Sequence, residues 1–191
     1  MIKFHNIADL ISKLTIPGLT ISIFLVYVNL INSQDFEFFP FCFSISLLGI
    51  LPVVATLIGS RKAGERGAQI SSRSGRTLPY IISLVGSVLC FLLLLFLEGG
   101  ESYVFIAGSL VTSTVILLLV NFLIKVSVHM CAVSAVAALS FCLTGLWGIP
   151  FLILMCLVFW SRLSLGKHSW QQLVLGMIIG FITPLCLWFI F

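Results

Sequence analysis

Three histidines occur in this chain of 191 residues, and two of them stand beside basic residues at breaks between long apolar runs. His168 follows Arg162 by six positions within Trp160-Ser161-Arg162-Leu163-Ser164-Leu165-Gly166-Lys167-His168-Ser169-Trp170-Gln171-Gln172. His129 closes the short break Lys125-Val126-Ser127-Val128-His129. A third polar point ends a basic loop, Arg73-Ser74-Gly75-Arg76-Thr77-Leu78-Pro79. These residue types suit a phosphate group. An arginine fork holds two phosphate oxygens at once, and a lysine adds a point charge. Arg73, Arg76 and Arg162 are the candidate forks, and Lys125 is the point charge. Two imidazoles, which titrate near neutrality when unperturbed, allow one to attack phosphorus in its neutral form while the other protonates the departing oxygen.

The elements that must position these residues are membrane helices. The chain is 60% hydrophobic and 8% charged, and its apolar runs approach or exceed the roughly 20 residues that cross a bilayer. The runs are continuous rather than alternating, which points to helices and away from a membrane barrel. The expected class is all-α, a polytopic transmembrane helix bundle of about six to seven spans. The runs are 14–31, with Pro17 near its start, then 38–59, 78–97, 103–124, 130–146, a shorter 151–160, and 173–191. Residues 1–13 are polar with an amphipathic cast. Asp9 and Lys13 precede the first run and no small-x-small cleavage site follows it, so that run is expected to stay as a helix rather than leave as a signal peptide. Glycines and serines in 60–77 argue against a buried helix there. Six scattered cysteines show no CxxC and no metal-ligand spacing, and read as small buried residues.

Seven alternating spans bring the N-terminus, the 60–77 loop, the 125–129 break and the 161–172 link to one face. All ten Lys and Arg fall there against Asp9 and Glu65, a net +8. Asp35, Glu37, Glu98 and Glu101 fall on the other face, a net −4, and the two agree with the chain total of +4. The positive-inside rule puts the basic face in the cytoplasm. The three polar points therefore meet on one side of one membrane.

Ser161-Arg162-x5-His168-x3-Gln172 resembles the last signature of the type 2 phosphatidic acid phosphatase superfamily, which also holds the vanadium haloperoxidases. That signature is Ser-Arg-x5-His-x3-Asp. Ser127-Val128-His129 resembles the middle signature, Pro-Ser-Gly-His. Arg76-Thr77-Leu78-Pro79 resembles the first, Lys-x6-Arg-Pro, more loosely. The order of the three is the family's, and the resemblance covers roughly residues 60–185. It implies that His168 is the nucleophile of a phosphohistidine mechanism and His129 the general acid. Arg162 and an arginine of the first motif, with Lys125 and Ser127, would bind the phosphate. It implies no metal and no cofactor, a phosphorylated lipid as partner in the bilayer, and no nucleic acid. The chain then divides into an N-terminal region, 1–59, with two transmembrane helices, and a phosphatase-like core, 60–191. Three departures stand out. Gln172 occupies the Asp position and cannot stabilise an imidazolium by charge. Val126 and Val128 flank Ser127 where the family has Pro and Gly. Arg66 and Arg73 keep the Lys-x6-Arg spacing with Arg for Lys, and no Pro follows Arg73.

Simpler roles exist for several of these residues. Ser169 and Gln172 fit a capping box that starts the last helix. Arg61, Lys62, Arg66 and Lys167 suit a headgroup-facing rim. Trp147, Trp160, Trp170 and Tyr80 suit an interfacial aromatic belt. Three functions follow. One is a membrane phosphatase of a lipid phosphate or isoprenoid diphosphate. Another is a catalytically silent member that binds or carries such a lipid, favoured by Gln172 and the two valines. The last is a small transporter or scaffold unrelated to phosphate.

Overall fold

A computed structural model of the protein describes residues 2–62, 64, 70 and 74–190. Among these residues there are helices and no strand. In chain order they are α1 (Ile2–Leu14), α2 (Pro17–Ile31), α3 (Phe38–Ser44), a π-helical segment (Ile45–Ile50), α4 (Leu51–Lys62), α5 (Thr77–Phe96), α6 (Glu101–Leu123), α7 (Val128–Thr144), α8 (Ile149–Ser164) and α9 (Trp170–Trp188). The protein is an all-α polytopic bundle, as expected.

Five stretches are long and apolar enough to cross a membrane: Phe38–Lys62, Thr77–Phe96, Glu101–Leu123, Val128–Ser164 and Trp170–Trp188. A sixth is the bent pair Phe4–Leu14 and Pro17–Ile31, if counted as one. The stretch Val128–Ser164 doubles back. Gly145 at its middle has φ +60°, a left-handed backbone that glycine adopts without strain. The far end of α8 thereby returns beside the start of α7, where Arg162 and His129 line one cavity. At about 1.5 Å per residue, the 17 residues of α7 and the 16 of α8 each run roughly 25 Å. The chain therefore passes through the bundle seven times.

The first pass starts later than its apolar run does. Residues 2–14 form a separate helix, bent 69° from α2. The cause is Pro17. A residue before proline is pushed out of the α region, and Ile16 is accordingly extended at φ −57°, ψ 135°. Pro17 then occupies the first helical turn of α2, where its missing N–H costs nothing.

α7 is the central helix, buried without interruption from His129 to Ser140. α9 packs closely along it because Gly176 and Gly180, one turn apart, present bare backbone. A Cβ on Gly180 would overlap the Cys131 carbonyl oxygen, and one on Gly176 would crowd that of Ser127. Small residues spaced by four are how membrane helices bring backbones together when lipid supplies no hydrophobic drive. On the other side of α7, Phe24 of α2 meets Phe151 of α8 edge-on, with centroids 5.9 Å apart.

The two ends of the bundle differ in charge. At one end Tyr27 donates to the Trp147 carbonyl, Asn32 to that of Leu143, and Tyr103 to Asn29. Glu37, Glu98 and Glu101 belong to this end. Lys13, Arg61, Lys62, Arg76, Lys125, Arg162 and Lys167 belong to the opposite end. The seven passes thus sort the described charges as the sequence implies.

Candidate functional site

The three polar points converge at the basic end around one cavity of about 80 Å³, lined by Arg76, Tyr80, Lys125, His129, Arg162, Lys167 and His168 among others. That is several times the roughly 10–15 Å³ a single water needs.

The six-residue step from Arg162 to His168 is a helix ending. Arg162 is in the last turn of α8, and Leu165 caps it. Gly166 follows with φ +62°. Its N–H reaches the Leu163 carbonyl at 3.0 Å, and the Lys167 N–H reaches that of Arg162 at 3.2 Å. These two bonds are the Schellman ending of a helix, which needs the left-handed residue that glycine supplies. The chain reverses there and delivers His168 to the cavity just before α9.

Ser169 caps α9, accepting the Gln172 backbone N–H at 3.4 Å. The glutamine side chain does not complete the capping box by turning back on Ser169. Its Oε1 lies 2.9 Å from Nδ1 of His168. An amide oxygen only accepts, so Nδ1 carries the proton and Nε2 keeps its lone pair. Gln172 therefore sets the tautomer of His168 from outside the cavity. His168 is itself buried. Burial first, then the charges of Arg162 and Arg76, pull its pKa down to about 3, while the bond to Gln172 opposes them. Its ring is neutral at physiological pH.

His129 sits in the first turn of α7, 4% exposed, with its ring against the backbone of Ser12. Its electrostatic neighbours are Arg162, His168 and Arg76. Arg162 is equally buried. Its Nη1 donates to the Ser12 hydroxyl at 2.6 Å, and its Nε has no partner. Arg76 donates Nε to the Ile70 carbonyl at 2.8 Å and Nη1 to that of Val126 at 3.0 Å. It thereby straps the first motif onto the second. Lys125 reaches the Lys167 carbonyl at 3.5 Å. Tyr80 also lines the cavity, buried, with its hydroxyl beside Arg76.

The structure brings together His168, His129, Arg162, Arg76 and Lys125 from the sequence-based set. Gln172 stands behind His168. Ser127 is the exception. Its hydroxyl caps α7 by accepting the Met130 N–H, its own N–H donates to the Gln172 carbonyl, and it does not line the cavity. It holds α7 and α9 in register rather than facing a ligand. Arg73 lies outside the described residues. Tyr80, expected as part of an aromatic belt, and Lys167, expected on a headgroup rim, both line the cavity. Ser12 had no signal at all, since nothing in residues 1–13 relates to the three motifs by spacing.

Chemically, the cavity presents two buried guanidinium groups and two buried imidazoles. Among the described residues, no carboxylate pairs with either Arg76 or Arg162; an ion pair, Lys13 with Asp9, lies on the surface of α1. A buried cation without a counter-charge is costly, and buried polar groups are nearly always partnered. Here Nε of Arg162 is orphaned beside one space that the Tyr80 hydroxyl and the His129 ring also line. An anion with several acceptor oxygens answers both deficits. No protein-family model, curated protein or solved structure matches this chain.

Proposed function

We propose that this protein is a membrane-embedded phosphatase that hydrolyses a lipid phosphate or isoprenoid diphosphate through a phosphohistidine. The observation that carries this reading is the pair of buried arginines, Arg76 and Arg162, which have no carboxylate partner among the described residues and line a cavity that holds both buried histidines. The motifs that resemble the type 2 phosphatidic acid phosphatases support it.

In this reading Arg162 and Arg76 hold the phosphoryl oxygens, with Lys125 and Lys167 adding charge at the rim. Nε2 of His168, free because Nδ1 is committed to Gln172, attacks phosphorus. The bond to the lipid oxygen breaks, and His129 hands that oxygen a proton. Water then adds its hydroxyl to phosphorus and gives its proton back to His129, which breaks the phosphorus–nitrogen bond and releases phosphate. The lipid tail stays in the bilayer, and the basic end faces the cytoplasm.

The test is phosphate release in EDTA from phosphatidic acid, phosphatidylglycerol phosphate and isoprenyl diphosphates. Wild type is expected to release phosphate from at least one of them, and His168→Ala from none. Release that survives the substitution would overturn the mechanism.

A second reading, a silent protein that binds a phosphorylated lipid, is favoured by two observations. Gln172 brings no charge to His168. Val126 is fully buried with its carbonyl occupied by Arg76, so the middle motif lacks an open backbone cradle at that point. Orthovanadate binding without release from any of the lipids would select it.

A further inference from the structure

The N-terminal helix lies outside the region that carries the three motifs, yet it is bonded into the site. Two hydrogen bonds tie α1 to the end of α8 across about 150 residues of chain. The Ser161 hydroxyl donates to the Ala8 carbonyl at 2.6 Å, and Arg162 Nη1 donates to the Ser12 hydroxyl, also at 2.6 Å. Ala8 and Ser12, one turn apart, are both buried, and Ile11 packs on the cluster of Met130, Val133, Val158 and Leu173. Beside that buried face α1 exposes an apolar stripe of Ile7, Leu10 and Leu14, with Phe4 at its start. An amphipathic helix with that apolar stripe lies in the membrane interface, so α1 is held by the bundle and the membrane together.

The choice of partner for Arg162 matters. A buried guanidinium normally takes a carboxylate, which fixes its position and also cancels its charge. A serine hydroxyl fixes one nitrogen and cancels nothing. Nε of Arg162 stays unpartnered, and the full positive charge remains beside His129 and His168.

We propose that Ser12 is a positioning residue of the site: it orients Arg162 by a neutral contact and so keeps that cation available for an incoming phosphoryl group. The inference rests on the reading of the cavity as a phosphate site. It makes α1 part of the functional unit, although its residues share no motif with it.

The experiment measures orthovanadate binding and thermal midpoint on the full-length protein in detergent, for wild type, Ser12→Ala, Ser12→Thr and Ser12→Asp. Loss of a hydrogen bond to a charged group is worth roughly 1.5–3 kcal/mol, so Ser12→Ala is expected to weaken binding about tenfold to a hundredfold. Ser12→Thr keeps the hydroxyl and restores it. Ser12→Asp should bind more weakly than Ser12→Ala while melting higher than wild type, because a carboxylate stabilises Arg162 and neutralises it together. A merely structural serine would not separate stability from binding in this way. Should Ser12→Ala not fold, the Thr and Asp variants decide the matter alone. Vanadate bound equally by wild type and Ser12→Asp overturns the positioning role and leaves the phosphate site standing. A wild type that binds no vanadate removes the phosphate site, and this inference with it.

Discussion

In the proposed phosphatase, Gln172 is the residue on which activity would turn. Its amide oxygen holds Nδ1 of His168 at 2.9 Å, and so performs the orienting half of a carboxylate's work. It leaves undone the electrostatic half, which is to stabilise the imidazolium. His168 consequently sits in a field of positive charge, with its pKa drawn to about 3 by burial and by Arg162 and Arg76. A neutral nucleophile is then present at all ordinary pH values, but a weakly basic one. In serine-protease triads, loss of the carboxylate costs about 10⁴ in rate, which sets the scale of what could be regained here. Gln172→Asp is expected to raise phosphate release by one or more orders of magnitude. It should also move the acid limb of kcat/KM upward. The nucleophile works deprotonated, so activity falls as pH drops through its pKa, and a carboxylate at position 172 raises that pKa. A pH–rate profile of both proteins checks both effects. An unchanged rate with an unchanged acid limb would mean that residue 172 does not act on His168. His168, Arg162 and Gln172 were legible in sequence because a helix ending and a helix start impose fixed spacings. Ser12 was not, because its approach to Arg162 is made by folding and leaves no periodic trace.

At the scale of elements, the site depends on how closely α7 and α9 approach, since α7 carries His129 and the turn that leads into α9 carries His168. That approach is made by Gly180 and Gly176 against the backbone of α7. In an ordinary helix, alanine for glycine is stabilising by roughly 0.5–1 kcal/mol. At Gly180 the added methyl overlaps the Cys131 carbonyl, and overpacking of this kind costs about 1–3 kcal/mol. Gly180→Ala is therefore expected to lower the thermal midpoint and to reduce phosphate release, because α9 must move and carries His168 with it. The sign of the change decides, and a raised midpoint would show that the two helices do not meet there. The apolar runs disclosed the helices from the third pass onward to within a few residues. They did not disclose that residues 2–14 form a helix of their own. Hydropathy alone cannot separate a short amphipathic helix from a polar leader, whereas the extended Ile16 before Pro17 is a local backbone effect that ends α1 and starts α2. Nor did they separate Ser127 the helix cap from Ser127 the ligand, because both roles favour serine before a helix.

For the whole molecule, the segregation of charge is what makes seven passes and one site compatible. The described cations gather at the end where the motifs meet, and Glu37, Glu98 and Glu101 at the other. Adding or removing one pass in the middle of the chain would carry half of these charges to the wrong side. The lysines provide a direct test, since Lys13, Lys62, Lys125 and Lys167 belong to the motif end and the alternation of spans read from the sequence assigns Lys3 to it as well. With that end in the cytoplasm, a membrane-impermeant amine reagent should leave all five unmodified on intact cells. After permeabilisation it should reach Lys3, Lys13 and Lys62, while Lys125 and Lys167 react more slowly at the cavity. Inorganic phosphate should slow those two further. Peptide mass mapping reads each site separately, and the possible outcomes differ. Modification of all five from outside would reverse the orientation and keep the bundle intact, because the two ends would still be sorted. Modification of Lys13 from one side and Lys167 from the other would break the seven-pass arrangement, and with it the convergence of Arg162, His129 and His168 on which the proposed chemistry depends.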